Sequence, residues 1–91
     1  MSTPLDPPVA DSAPTDCVLT GYDELHKITY LRLLDAEAAN ADWREVARLV
    51  LNIDPDKEAE RAHRVWKSHL ERAHWMTEHG YRHLLRGGAP N

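Results

Sequence analysis

Six histidines in a chain of 91 residues are the first place to look for chemistry, because imidazole is the commonest metal ligand and titrates nearest neutrality. Their spacing argues against both uses. His63 and His74 fall on nearly the same helical stripe, but eleven residues of helix put them roughly 16 Å apart, too far to share one ion. His79 and His83 stand four apart, with Gly80 between them to interrupt the helix. The best local trio is Glu71, His74 and Glu78, exposed and lacking a fourth ligand. A solvated helix face is the default reading of it. His69 lies in an apolar stripe, where a core histidine with satisfied nitrogens is the expected role. There is no Gly-rich phosphate loop, Cys-x-x-Cys pair or nucleophile elbow. The acid pairs Glu58/Glu60 and Asp54/Asp56 sit at turns and helix starts, where they favour the positive end of the helix dipole. No catalytic residue, metal site, cofactor or small-molecule substrate follows, and the expectation is a protein that is not an enzyme.

The elements that would carry these side chains are helical throughout. A first helix starts at Thr20, where Thr20-Gly-Tyr-Asp23 makes a capping-box pattern with Asp in place of Glu, and runs to about Ala39, with Asn40 as the stop. Steps of about 100° per residue place Leu25 and Ile28 on one side, Leu31 and Leu34 on another, and Tyr22, Tyr30 and Leu33 on a third. A helix apolar all round serves either a larger core or two interfaces. The second helix is short: Asp42 caps it, Glu45 completes a capping box, and Trp43, Val46, Ala47, Val50 and Leu51 point inward. Asn52-Ile-Asp-Pro-Asp56 reads as a connector, since Pro55 disfavours helical geometry at Asp54. The third and longest helix runs from Asp56 to His79, closed by Gly80. Ala59, Ala62, Val65, Trp66, His69, Leu70, Ala73 and Met76 form its apolar stripe. Its other side carries Lys57, Arg61, Arg64, Lys67, Ser68, Glu71, Arg72 and Trp75. Tyr81 to Arg86 reads as a last turn or short helix, with Leu84 and Leu85 folding back on Trp75.

The fold class implied is all-α: a small helix-turn-helix variant with three main helices, a short C-terminal helix and a disordered N-terminal tail. Residues 1–19 form that tail, 20–86 the domain and 87–91 a flexible C-terminus. The tail contains Pro4, Pro7, Pro8 and Pro14, three aspartates and no Lys or Arg, and buries too little apolar surface to offset the cost of ordering a backbone. Cys17, the single cysteine, cannot make an internal disulfide, which fits a reducing compartment. With no signal segment and no long apolar run, a cytoplasmic protein without a membrane partner is expected.

Charge then weighs between two binding surfaces. The formal net charge is −4. Residues 21–56 hold eight acids and four bases, and residues 57–91 four acids and seven bases. The order of medium helix, short helix, connector and long helix is that of a helix-turn-helix core, whose last helix reads the major groove. Here it would offer Lys57, Arg61, Arg64 and Ser68 to DNA. Glu58, Glu60 and Glu71 interrupt that patch, and the domain lacks the cationic excess of a dedicated DNA binder. Nucleic acid is therefore not the expected partner. The acidic tail has the charge to screen the basic side of the third helix, but no residue pairing can be assigned from sequence. The other surface is the surplus of the first helix. Tyr30 and Leu33 as anchors, with Tyr22 beside them and Asp23 and Glu37 as an acidic rim, have the composition of a protein-binding patch.

Several blocks carry a resemblance: Tyr30-Leu-Arg-Leu-Leu-Asp-Ala-Glu37, Ala41-Asp-Trp-Arg-Glu-Val-Ala47, Leu51-Asn-Ile-Asp-Pro55, His69-Leu-Glu-Arg-Ala-His-Trp-Met76 and Gly80-Tyr-Arg-His-Leu-Leu85. Together they resemble an extended-turn helix-turn-helix domain family found on proteobacterial integrative and conjugative elements. The likeness spans about residues 20 to 86 and is nearest to its stand-alone, QseM-like antiactivators. In activators of that family the domain is similar to a DNA reader whose opposite face packs on a second domain. Stand-alone members look like mimics that occupy the activator instead. The resemblance thus implies an antiactivator that binds a transcriptional activator protein, with a LuxR-type quorum-sensing regulator as a further partner. It would repress excision and conjugative transfer of a mobile genetic element, with Tyr22, Asp23, Tyr30, Leu33 and Glu37 as its contact surface. The alternative is a DNA-binding transcriptional regulator using the third helix.

Overall fold

Thr20 starts the first helix as its spacing predicts. Its Oγ1 accepts from the Asp23 amide at 3.1 Å, and the Asp23 carboxylate accepts from the Thr20 amide at 3.0 Å, so two orphan donors of the first turn are satisfied reciprocally. The computed structural model describes residues 8–80, without the side chains of 79 and 80. Their regular structure is entirely helical: α1 Gly21–Leu25, α2 Lys27–Ala38, α3 Trp43–Leu49 and α4 Ala59–Trp75, followed by a π-helical turn Met76–Gly80. The fold is the small all-α, helix-turn-helix-like domain expected from the sequence. The expected short helix over residues 81–86 lies outside the described residues.

The predicted first helix is in fact two. His26 breaks it with φ −107° and ψ 23°, while its Nδ1 lies 2.9 Å from the Tyr22 carbonyl oxygen and its Nε2 3.0 Å from that of Pro8. A side chain that bonds a nearby carbonyl offers the backbone an alternative to the helical ladder. The far end of α2 closes where Asn40 predicts. Asn40 adopts φ 59°, its amide bonds the Glu37 carbonyl, and the Ala41 amide reaches Ala36 at 2.9 Å. That pair of bonds is a Schellman closure, and Asn is one of the few residues tolerated in the left-handed region. Asp42 precedes α3 as expected but makes no side-chain capping bond.

α4 packs on both α2 and α3. Its stripe delivers Ala62, Val65, His69, Ala73 and, just beyond it, Met76 to the core, against Tyr30 and Leu33 of α2 and Val46 and Ala47 of α3. Complete burial of an apolar side chain such as Leu33 contributes about 1.5–3 kcal/mol. Tyr30 and Leu33 are 2% and 1% exposed, so these expected surface anchors belong to the core. The inward face of α1 and α2 is built from Asp23, His26, Thr29, Tyr30 and Leu33, all buried. Its polar members hide the stripe from an apolar count. What α1 and α2 leave outside is instead Leu25, Ile28 and Leu31, 64%, 55% and 41% exposed.

The connector is longer than expected, residues 50–58, and it is packed rather than slack. Asn52 takes φ 59°, turning the chain so that Leu51, Ile53 and Pro55 are buried. The Asp54 carbonyl accepts from the Lys57 and Glu58 amides at 3.2 and 2.9 Å. This isolated turn is why the sequence places the start of the long helix one turn early. Residues 8–19 carry no helix or strand, in keeping with their proline and aspartate content, and they run against α4.

Candidate nucleic-acid interface

The outer side of α4 is reached from both ends of the sequence argument. Arg64 and Lys67 are exposed there, as is Lys57 in the connector just before the helix. Arg61 is half-exposed and already engaged: its Nε donates to Asp11 Oδ1 at 2.8 Å and its Nη1 to Glu58 Oε1 at 3.1 Å. The Asp11 carboxyl is held below the usual carboxylate range by the hydrogen bond and the charge of Arg61, with Arg64 adding to the same field. Ser68 Oγ accepts from the Ala13 amide at 3.1 Å and donates to the Val65 carbonyl at 3.2 Å. Glu58, Glu60 and Glu71 are exposed on or beside the same side. Cations and acids therefore alternate along it, as the sequence reading describes.

Arg72 does not belong to that surface. Its guanidinium is buried, with Nε 3.0 Å from Asp23 Oδ1 and Nη2 2.6 Å from Asp23 Oδ2. It also donates to the carbonyls of Asp16, 2.6 Å, and Val18, 3.0 Å, and lies 3.8 Å over the Trp75 ring. The Tyr30 hydroxyl completes the cluster by donating to Asp23 Oδ1 at 2.8 Å. Burial alone would raise the Asp23 pKa. The hydrogen bonds from Arg72, the Thr20 amide and Tyr30, with the charge of Arg72, outweigh burial and hold it below the ordinary value. The Tyr30 hydroxyl is pushed far up by burial and by the carboxylate it serves. Beside this cluster, Tyr22 accepts from the Ala10 amide at 2.9 Å and donates to His69 Nε2 at 2.5 Å. His69 Nδ1 then donates to the Val65 carbonyl at 2.8 Å. His69 is a satisfied core histidine, its pKa lowered by burial.

The five residues assigned to a protein surface are thus divided. Asp23, Tyr30 and Leu33 are brought together inside the core and Tyr22 is half-buried. Glu37 is exposed and faces His74, Nε2 to Oε1 2.7 Å. The Asp23–Arg72 pair is what sequence reasoning missed. The one available signal was an arginine bordering an apolar stripe, and its partner lies 49 residues away. On the other flank of α4, His63 packs edge-on to Trp43 with centroids 4.8 Å apart, and Trp66 stands 5.4 Å from His63. No group of His, Cys, Asp and Glu among the described residues has metal-binding geometry. No helix there is long and apolar enough to cross a membrane.

A family model described as a T6SS transcription factor, DNA-binding domain, matches residues 5–86. No curated protein matches. The family match overturns the expectation that nucleic acid is not a partner. That expectation weighed the charge of the whole domain, whereas a helix reads DNA through a few side chains on one side and a local patch is enough.

Proposed function

From the premise that this chain belongs to the RovC DNA-binding-domain family, that of a T6SS transcription factor, we propose that it is a transcriptional regulator that docks α4 in the DNA major groove. The observation that supports this most is the outer side of the longest helix, where Arg61, Arg64 and Ser68 follow one another at helical spacing beyond Lys57 of the connector, with Arg64 and Lys67 exposed. Arg and Lys there supply phosphate neutralisation and base-edge donors, and the acids between them limit non-specific affinity. α3 and the packed connector take the role of the first helix and turn of the motif.

The test is binding of a labelled duplex from the regulated promoter. Arg61→Ala with Arg64→Ala is expected to weaken it at least tenfold and to flatten the dependence of log K on log salt by about two, one for each cation removed. Unchanged affinity in a folded double variant would refute the role given to α4.

The antiactivator reading drawn from the resemblance stays second. Its anchors Tyr30 and Leu33 are buried, and what favours it is the exposed row Leu25, Ile28 and Leu31, an apolar surface of the kind protein partners cover. Ile28→Asp in a folded protein would abolish capture of a transcriptional activator under this reading and leave DNA binding intact. Retention of the captured activator by that variant would remove the reading.

A further inference from the structure

Residues 8–19 use up the polar groups that DNA would need. Arg61 has two guanidinium nitrogens on carboxylates, Asp11 at 2.8 Å and Glu58 at 3.1 Å. Ser68 has its proton on the Val65 carbonyl and its lone pair on the Ala13 amide, so its hydroxyl has nothing left to donate to a phosphate. Ala13 is buried at 6% exposure, and with Pro14 and Thr15 it borders a depression whose other wall is Ser68, Glu71, Arg72 and Trp75. The segment is secured unevenly. At its C-terminal end the buried Arg72 guanidinium holds the Asp16 and Val18 carbonyls. At its N-terminal end the Pro8 carbonyl lies 3.0 Å from His26 Nε2 and the Ala10 amide donates to the Tyr22 hydroxyl at 2.9 Å. Between the two ends the grip is weaker, because the Asp11–Arg61 pair is exposed, with side chains 61% and 36% accessible. Exposed pairs are individually weak and are screened by salt. A strap fixed at both ends and lightly in between lifts at its middle.

Resting on the reading of α4 as the DNA-contacting helix, we infer that residues 8–15 are a built-in competitor of duplex DNA, with the Asp11 carboxylate standing where a backbone phosphate would sit on Arg61. The chemistry is the same on both sides, an oxyanion accepting from a guanidinium, so one ligand excludes the other. Arg64 and Lys67 stay open and make the first electrostatic encounter, and the strap yields Arg61 and Ser68 as the duplex closes on the helix. Because the strap lies on the same chain, its competition does not depend on protein concentration.

The test uses the full chain and a fluorescein-labelled mixed-sequence duplex of about 24 base pairs, titrated by anisotropy at several salt concentrations. Asp11→Asn is expected to bind roughly three- to fivefold tighter at low salt, the range of an exposed ion pair, with a salt slope steeper by about one. Asp35→Asn, the same charge change on exposed α2, controls for net charge and is expected to gain much less. In an Arg61→Ala background Asp11→Asn is expected to gain no more than that control. A second readout follows the Ala13 amide by hydrogen exchange, which is expected to lose protection when duplex is added. The inference is overturned by equal affinity of Asp11→Asn and the parent, by an equal gain for Asp35→Asn, by a gain that survives in Arg61→Ala, or by an Ala13 amide that stays protected in the complex. Failure of every variant, Asp11→Asn included, to bind duplex at low salt would instead remove the assignment of α4 itself, and the competition with it.

Discussion

Replacing Arg72 by methionine keeps the aliphatic stem and removes the charge, leaving the Asp23 carboxylate, 0% exposed, with the Tyr30 hydroxyl and the Thr20 groups as its only donors. Breaking a buried ion pair from one side costs about 3–5 kcal/mol. The surviving donors pull the figure toward the lower end, and loss of the bonds to the Asp16 and Val18 carbonyls adds about 1 kcal/mol each. The sum, roughly 4–5 kcal/mol, is comparable with the whole stability of a domain this size, about 4–11 kcal/mol at ~0.05–0.15 kcal/mol per residue. Urea unfolding followed by circular dichroism at 222 nm measures it. With a slope near 1 kcal/mol/M the midpoint falls by about 4 M, which unfolds Arg72→Met without denaturant where the parent's stability lies at the low end of that range. Asp23→Leu together with Arg72→Met removes both charges and is expected to recover at least about 2 kcal/mol relative to the sum of the single variants, the signature of a coupled pair. A midpoint shift below about 1 M for Arg72→Met, or strict additivity in the double variant, would refute the central place given to this pair.

Two further outcomes follow from the same geometry. His69 is buried neutral with a lowered pKa, so below its unfolded value of ~6.5 the unfolded chain binds the extra proton and stability falls as pH drops. A second fall comes at lower pH, below the unfolded pKa of Asp23, whose folded value is depressed. Thermal unfolding between about pH 7 and pH 3 is expected to show both losses, with the first absent in a folded His69→Gln variant. Asn40, at φ 59°, is expected to accept glycine with no loss, whereas Asn40→Ala costs about 1–2 kcal/mol, read as a fall in melting temperature. An alanine variant as stable as the parent would contradict the left-handed closure of α2.

Aliphatic residues at regular spacing were readable. The stripe of α4 emerges from Ala62, Val65 and Ala73 without ambiguity, and Thr20 and Asn40 announce the start and stop they perform. The buried face of α1 and α2 was not readable, because Asp23, His26 and Thr29 occupy it and a hydrophobic count scores them as surface. They are inside only because Arg72, Tyr22 and the strap satisfy most of their polar groups, and Arg72 and Pro8 lie 49 and 18 residues from the side chains they meet. The same blindness displaced the candidate site: with the true stripe hidden, Tyr30 and Leu33 looked superfluous and were taken for surface anchors. The cations of α4 were visible as a pattern. Their occupation by Asp11 and the Ala13 amide was not, since no local rule relates positions 50 and 55 residues apart. Domain-wide charge, finally, is a poor guide to a partner met by one helix.

The nine residues that separate α3 from α4 change what a mutation can do to recognition. In a helix-turn-helix with a tight turn, a few local dihedrals fix the crossing of the two helices and the pair behaves as one rigid token. Here Leu51, Ile53 and Pro55 are wedged in the core, so the pitch of α4 against the rest of the domain is set by how those three side chains pack. A substitution among them tilts α4 by re-seating the wedge, and every exposed side chain on it swings together. Under the proposed docking of α4, promoter preference would then be heritable through buried positions that never touch a base, a dial separate from the contact residues and invisible to a scan confined to the surface.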